Sequence, residues 1–155
     1  MVKRGGFLDI AIEIENKELK NIDRLTKKGH DRLVAALNRI VSDTADKVVR
    51  ETQKDMLVGI KTGKTYTLAD GRPHTASAKG QTPAVITGTL MKGFDVYKYK
   101  HVGSMFAYIK NHVFYADILY GMQRPIIKVT PGTAAEFKAK VREAVKKNLI
   151  GFSRK

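Results

Sequence analysis

A chain of 155 residues, 43% of them apolar, has material for one hydrophobic core and little beyond it, so a single domain over 1–155 is expected. It contains no cysteine, which excludes disulfides, thiolate catalysis and thiolate-bound zinc. The formal net charge of +14 is uneven, with roughly twelve of those units falling after Gly59. Such a surface attracts a polyanion or an acidic protein, less strongly as salt is added.

The apolar runs are too short for a membrane span. The first residues lead into an alternating segment without the apolar core of a signal peptide, which predicts a soluble, cytoplasmically made protein. From Phe7 to Glu15, Ile10, Ile12 and Ile14 share one face and acids occupy others, the period-two pattern of a half-buried strand. From Asn21 to Val58 the period changes. Leu33, Leu37, Ile40, Thr44 and Val48 recur at three- and four-residue steps, which predicts a long amphipathic helix. Gly29 costs roughly 1 kcal/mol relative to Ala inside a helix and predicts a break or late start nearby.

Residues 59–87 lose all periodicity and are dense in Gly, Thr, Ser, Lys and Pro, predicting a flexible basic loop with too little apolar surface to pack alone. An antiparallel sheet is expected over 88–130. Phe94 to Tyr99 and Met105 to Val113 form a strand pair around Val102-Gly103-Ser104, Tyr115 to Gly121 a turn or helical hook, and Ile126 to Val129 a last strand. Thr133-Ala134-Ala135-Glu136 has the spacing of a capping box, so a helix is expected over 133–150, with Phe137, Val141, Val145 and Leu149 as its inner stripe. Gly151 ends it, before a basic tail over 151–155. The fold class is therefore α+β: an antiparallel sheet packed by a long N-terminal helix and a shorter C-terminal one.

Gly59-Ile60-Lys61-Thr62-Gly63-Lys64-Thr65 invites comparison with a phosphate-binding loop. The comparison fails, because three residues separate the glycines where four are needed and a helix precedes the segment instead of a strand. His30, His74, His101 and His112 lack the paired spacing of metal ligands, and the few acids after Gly59 form no pair suited to hydrolysis. No cofactor, metal or catalytic residue is expected. Lys61, Lys64, Arg72, Lys79 and Lys92 line the predicted loop and make nucleic-acid contact an alternative, although no helix-turn-helix, zinc finger or RNP motif is present and Tyr66 is the loop's single aromatic residue.

The order of short motifs from Gly63 onward resembles that of the tail-completion, or head-tail connector, neck proteins of long-tailed phages. Gly63-Lys64-Thr65-Tyr66 is similar to the family's glycine-basic-x-tyrosine step. His74-Thr75-Ala76-Ser77-Ala78-Lys79-Gly80-Gln81-Thr82-Pro83-Ala84 resembles its histidine-to-proline segment. Thr87-Gly88-Thr89-Leu90 is similar to the threonine-glycine-x-leucine that enters the first long strand. Tyr115-Ala116, Tyr120-Gly121 and Arg124-Pro125 resemble the steps before the last helix. The resemblance covers roughly residues 60–145 and departs at Gly93, where the family usually has serine, and at Leu119, where it usually has an acid.

The resemblance implies a non-enzymatic structural protein of the virion neck that assembles as a homo-oligomeric ring. Its implied partners are connector or head-completion proteins, tail-terminator or tail-tube proteins, and by non-specific contact packaged DNA, with no membrane. Lys61, Lys64, Tyr66, Arg72, His74, Lys79, Pro83, Thr87, Gly88, Leu90, Tyr115, Gly121, Arg124 and Pro125 are the expected assembly residues, the glycines because tight turns need positive φ. The loop over 59–87 is expected to order against a neighbouring subunit. A basic nucleic-acid-binding module is the alternative, and an enzyme such as a nuclease ranks below both.

Overall fold

A computed structural model describes residues 10–13, 27–101 and 104–150 and has an α+β fold. In chain order the elements are β1 (Ile10–Glu13), α1 (Lys27–Val58), β2 (Thr65–Thr67), β3 (Pro73–Thr75), α2 (Thr89–Lys92), β4 (Phe94–His101), β5 (Ser104–Asn111), α3 (Ala116–Gly121) and α4 (Pro131–Ile150). One three-stranded sheet has the order β1-β5-β4, and β2 and β3 form a separate antiparallel pair. The outer parts of the expected first strand, the helix start at 21–26, Val102-Gly103 and the tail at 151–155 lie outside the described residues.

Contacts group the chain into two compact units, one holding residues 48–96 and 109–129, the other including 27–47, 97–101, 104–108 and 130–150 among its described residues. In the second unit Leu33, Leu37, Val41 and Ala45 are buried at four-residue steps along α1, the stripe an amphipathic helix needs. Ala107 of β5 and Val141 of α4 are buried in the same unit. Lys47 of α1 pairs with Glu136 of α4, which also takes Lys140 at 2.7 Å.

The last helix starts at Pro131, two residues before its expected Thr133. Thr130 caps it, its hydroxyl accepting the Thr133 amide at 3.1 Å and its carbonyl the Ala134 amide at 3.0 Å. Pro131 then occupies the first helical position, where its fixed φ suits the helix and its missing N–H is no loss. Glu136 is thereby released from the expected capping role to bind the two lysines.

In the first unit Val48, Thr52 and Met56 of α1 are buried together with Leu90, Ile109, Ala116, Ile126 and Ile127. The strand expected at Ile126–Val129 is absent. Two consecutive buried isoleucines break the alternation a strand requires, and the Lys128 amide bonds to the Thr52 hydroxyl on α1 at 3.3 Å in place of a ladder partner. The Thr87-Gly88-Thr89-Leu90 step likewise enters the short helix α2, not a strand. Gly88 in the left-handed region (φ 79) precedes that helix, and β4 begins after it.

Residues 59–87, expected as a flexible basic loop, contain the β2–β3 hairpin and make hydrogen bonds to Asp55 of α1 and to Gln123. The hairpin carried no alternation to read, since all three residues of β2 are exposed.

Candidate functional site

The hairpin is short, with Thr65, Tyr66 and Thr67 opposite Thr75, His74 and Pro73. The Thr65 and Thr75 hydroxyls meet at 2.9 Å, and the Tyr66 and His74 rings pack edge to face with centroids 5.3 Å apart. Its turn is closed by Asp70, whose carboxylate accepts the Arg72 amide at 3.1 Å and the Arg72 guanidinium at 2.6 and 2.9 Å. Those bonds from Arg72 hold the Asp70 carboxyl below its usual range.

Below the hairpin the backbones converge further. The Gly63 amide donates to the Ala76 carbonyl at 2.9 Å, and a β-carbon at Gly63 would lie 2.5 Å from that oxygen. Gly63 is therefore a close-approach glycine whose amide is already committed to the Ala76 carbonyl. Gln81 adds a clamp: its carbonyl oxygen accepts the Thr62 amide at 3.0 Å and the Ala78 amide at 2.8 Å.

Both ends of the segment are pinned to α1. Lys61 donates to the Asp55 carbonyl at 2.8 Å and to the Thr82 hydroxyl at 2.9 Å, while that hydroxyl donates to the Asp55 carboxylate at 2.9 Å. Lys128 stands 3.7 Å from the same carboxylate. Burial pushes the Lys61 ammonium below its ordinary value, Asp55 opposes that shift and Lys128 reinforces it. The far end is tied by the Gly80 amide to the carbonyl of Gln123 at 2.8 Å.

These restraints leave a cavity of about 450 Å³ within the first unit. Met56 and Leu90 supply buried lining, Tyr66 and His74 come from the hairpin, Pro83 to Thr87 from the segment before α2, Tyr115 from the N-cap of α3 and Leu119 from α3 itself. Arg124 completes it, its amide bonded to the Leu119 carbonyl at 3.1 Å. No acidic side chain lines the cavity, and Arg124 forms no ion pair among the described residues. Its lining combines apolar walls with two tyrosines, a histidine and an arginine.

Eight expected residues meet here: Tyr66, His74, Pro83, Thr87, Gly88, Leu90, Tyr115 and Arg124. The others lie elsewhere. Lys61 is half-buried and bonded to Asp55 and Thr82, Arg72 is held by Asp70, Lys64 and Lys79 are exposed, and Pro125 is half-buried beside Arg124. Gly121 was expected to need positive φ and does not. It lies in α3 with open space around its would-be β-carbon, and the left-handed residue of that hook is Gln123 (φ 57). At Gly93, where the resembled family has serine, a β-carbon would meet Val113 at 2.6 Å, so this chain has no room for one.

Sequence reasoning missed Asp55 and Met56, because two residues on one helical turn carry no signal that they face a distant segment. It also missed an apolar surface beside the cavity. Phe114 is 87% exposed, and Ile118, Tyr120 and Met122 are each more than half exposed within the next eight residues.

Among the described residues no group of three or more His, Asp or Glu could hold a metal ion, and no helix is long and apolar enough to cross a membrane. No protein-family model, curated protein or solved structure matches the chain.

Proposed function

We propose that this chain is a structural subunit of a tailed-phage neck, made in the host cytoplasm and incorporated in the virion, which acts by assembling into a ring at the head-tail junction and catalyses no reaction. The observation that carries the proposal is the exposed apolar set Phe114, Ile118, Tyr120 and Met122, concentrated in one nine-residue stretch of the first unit. Scattered single exposures are ordinary, but four large apolar side chains exposed within nine residues are a concentration of the kind found at protein interaction surfaces. A ring needs a head-to-tail contact between two different patches of the same chain. The ordered motifs from Gly63 to Pro125 support the neck assignment, and twelve of their twenty-five residues line the cavity.

The net charge of +14 favours a second reading, a basic module that binds nucleic acid. Lys64, Lys79 and Lys92 are exposed and unpaired among the described residues, and α4 exposes Lys138, Arg142, Lys146 and Lys147. Mass photometry and negative-stain electron microscopy of the purified protein separate the two. Closed rings that Phe114→Asp with Ile118→Asp reduces to folded monomers are the expected result. Monomers at every concentration, together with tight salt-dependent binding to duplex DNA, would overturn the neck assignment in favour of the second reading.

A further inference from the structure

We infer that the cavity of the first unit is a socket for an acidic, apolar-anchored peptide segment of another polypeptide, its carboxylate pairing with Arg124 and its large side chain seated against Leu90 and Met56. The inference rests on the assembly proposal only in naming that polypeptide a neighbouring structural protein. The recognition chemistry stands on the cavity itself.

Three observations carry it. The volume of about 450 Å³ lies within the span of cavities that enclose a side chain or small ligand. The lining is apolar over Met56, Pro83, Val85 and Leu90, so a ligand must bring an apolar group to gain from burial. Arg124 is half-buried, forms no ion pair among the described residues and faces no acid in the lining. No buried side-chain nitrogen or oxygen among the described residues lacks a hydrogen-bond partner, so solvent satisfies the guanidinium and a carboxylate can replace it.

Charge selects the occupant. A guanidinium takes a carboxylate in a planar two-bond arrangement, and an apolar wall beside it selects for a carboxylate flanked by a large apolar side chain. The net charge of +14 favours an acidic partner at this socket and leaves the contact between like-charged copies to the exposed apolar stretch from Phe114 to Met122. A nucleic-acid backbone needs a row of cations along its path, whereas the cavity offers one guanidinium among apolar groups.

The test is fluorescence anisotropy with a labelled peptide of core Glu-Phe-Asp-Leu, a control in which lysines replace the acids, and an unlabelled duplex DNA of equal charge as competitor. The acidic peptide is expected to bind, the lysine control to fail, and Arg124→Gln to weaken binding by about tenfold or more, the loss of a charge-assisted bond. Ile86 lines the cavity and is 50% exposed, so Ile86→Glu introduces a repelling charge at little risk to folding and should give a similar loss. Failure of the acidic peptide to bind, equal binding to Arg124→Gln and Ile86→Glu proteins whose circular dichroism is native, or displacement by the duplex would each overturn the inference. Ring formation is read separately by mass photometry: rings without peptide binding remove the socket and leave the neck proposal, and peptide binding by a protein that never forms rings does the reverse.

Discussion

The Lys61 ammonium and the Thr82 hydroxyl meet at 2.9 Å across 21 residues of chain, and both are bonded to Asp55 near the end of α1. The hydroxyl accepts from Lys61 and donates to the Asp55 carboxylate, which leaves its oxygen and hydrogen both satisfied although Thr82 is fully buried. Thr82→Val keeps the shape and removes both bonds. Stability should fall by about 1–3 kcal/mol, the range for leaving buried polar partners unmatched. Urea unfolding measures that loss, and limited proteolysis should show faster cleavage within 59–87. An unchanged midpoint would mean the network does not hold the segment.

Two glycines in the same unit should respond in opposite directions. Gly63→Ala places a β-carbon 2.5 Å from the Ala76 carbonyl and 3.0 Å from that of Ser77, both backbone atoms that cannot swing aside, and overpacking of this kind costs about 1–3 kcal/mol. Gly121→Ala meets nothing within 4 Å, lies in a helix and needs no positive φ, so it should be neutral or stabilise by up to about 1 kcal/mol. Thermal melts of the pair check both signs.

Much of the fold was legible because helices advertise burial through spacing. Leu33 and Leu37 are fully buried as the period along α1 demands, although Val41, not Ile40, takes the next buried position. The β4–β5 pair and the α3 hook were legible from β-branched and aromatic residues and from the terminating glycine. The β2–β3 hairpin was not, because a three-residue strand exposed at every position has no alternation to read. The cavity was half legible. Residue types such as Tyr66, His74 and Arg124 stood out in the motif order, but their convergence depends on long-range bonds such as Gly80 to Gln123, which no local pattern encodes.

Glu136 gives a prediction for acid. Hydrogen bonds from Lys140 and then Lys47 lower its carboxyl from 4.5 to about 2. A folded-state value below the unfolded one favours the folded state whenever the carboxylate is ionised. The contribution is therefore complete above pH 4.5 and is lost as pH falls toward 2. Glu136→Gln should lower the melting temperature at pH 7 and converge with the parent protein near pH 2. Because Glu136 is part-exposed, added salt should narrow the gap at pH 7. Parallel melting curves across that pH window would exclude the lysine pairs as the cause.

The basic residues of 59–87 divide into structural and available cations, and charge reversal can separate them. Lys61 is committed to Asp55 and Thr82, so Lys61→Glu sets a carboxylate against Asp55 inside the anchor and should destabilise the first unit as Thr82→Val does, or more. Lys64 and Lys79 are exposed and without an ion pair among the described residues, so reversing both should change stability by no more than about 0.5 kcal/mol. If the cationic surface contributes to association with an acidic partner surface or with DNA, that double reversal should weaken association at 50 mM salt and matter less at 500 mM, where the screening length drops to about 4 Å. Arg72 belongs between these classes, since Asp70 already neutralises it and Arg72→Glu would break the hairpin turn along with the charge. Sedimentation at the two salt concentrations, on variants whose melts have been recorded first, assigns each lysine to folding or to association. An effect of Lys64 and Lys79 reversal that is equal at both salts would remove long-range electrostatics from the assembly step.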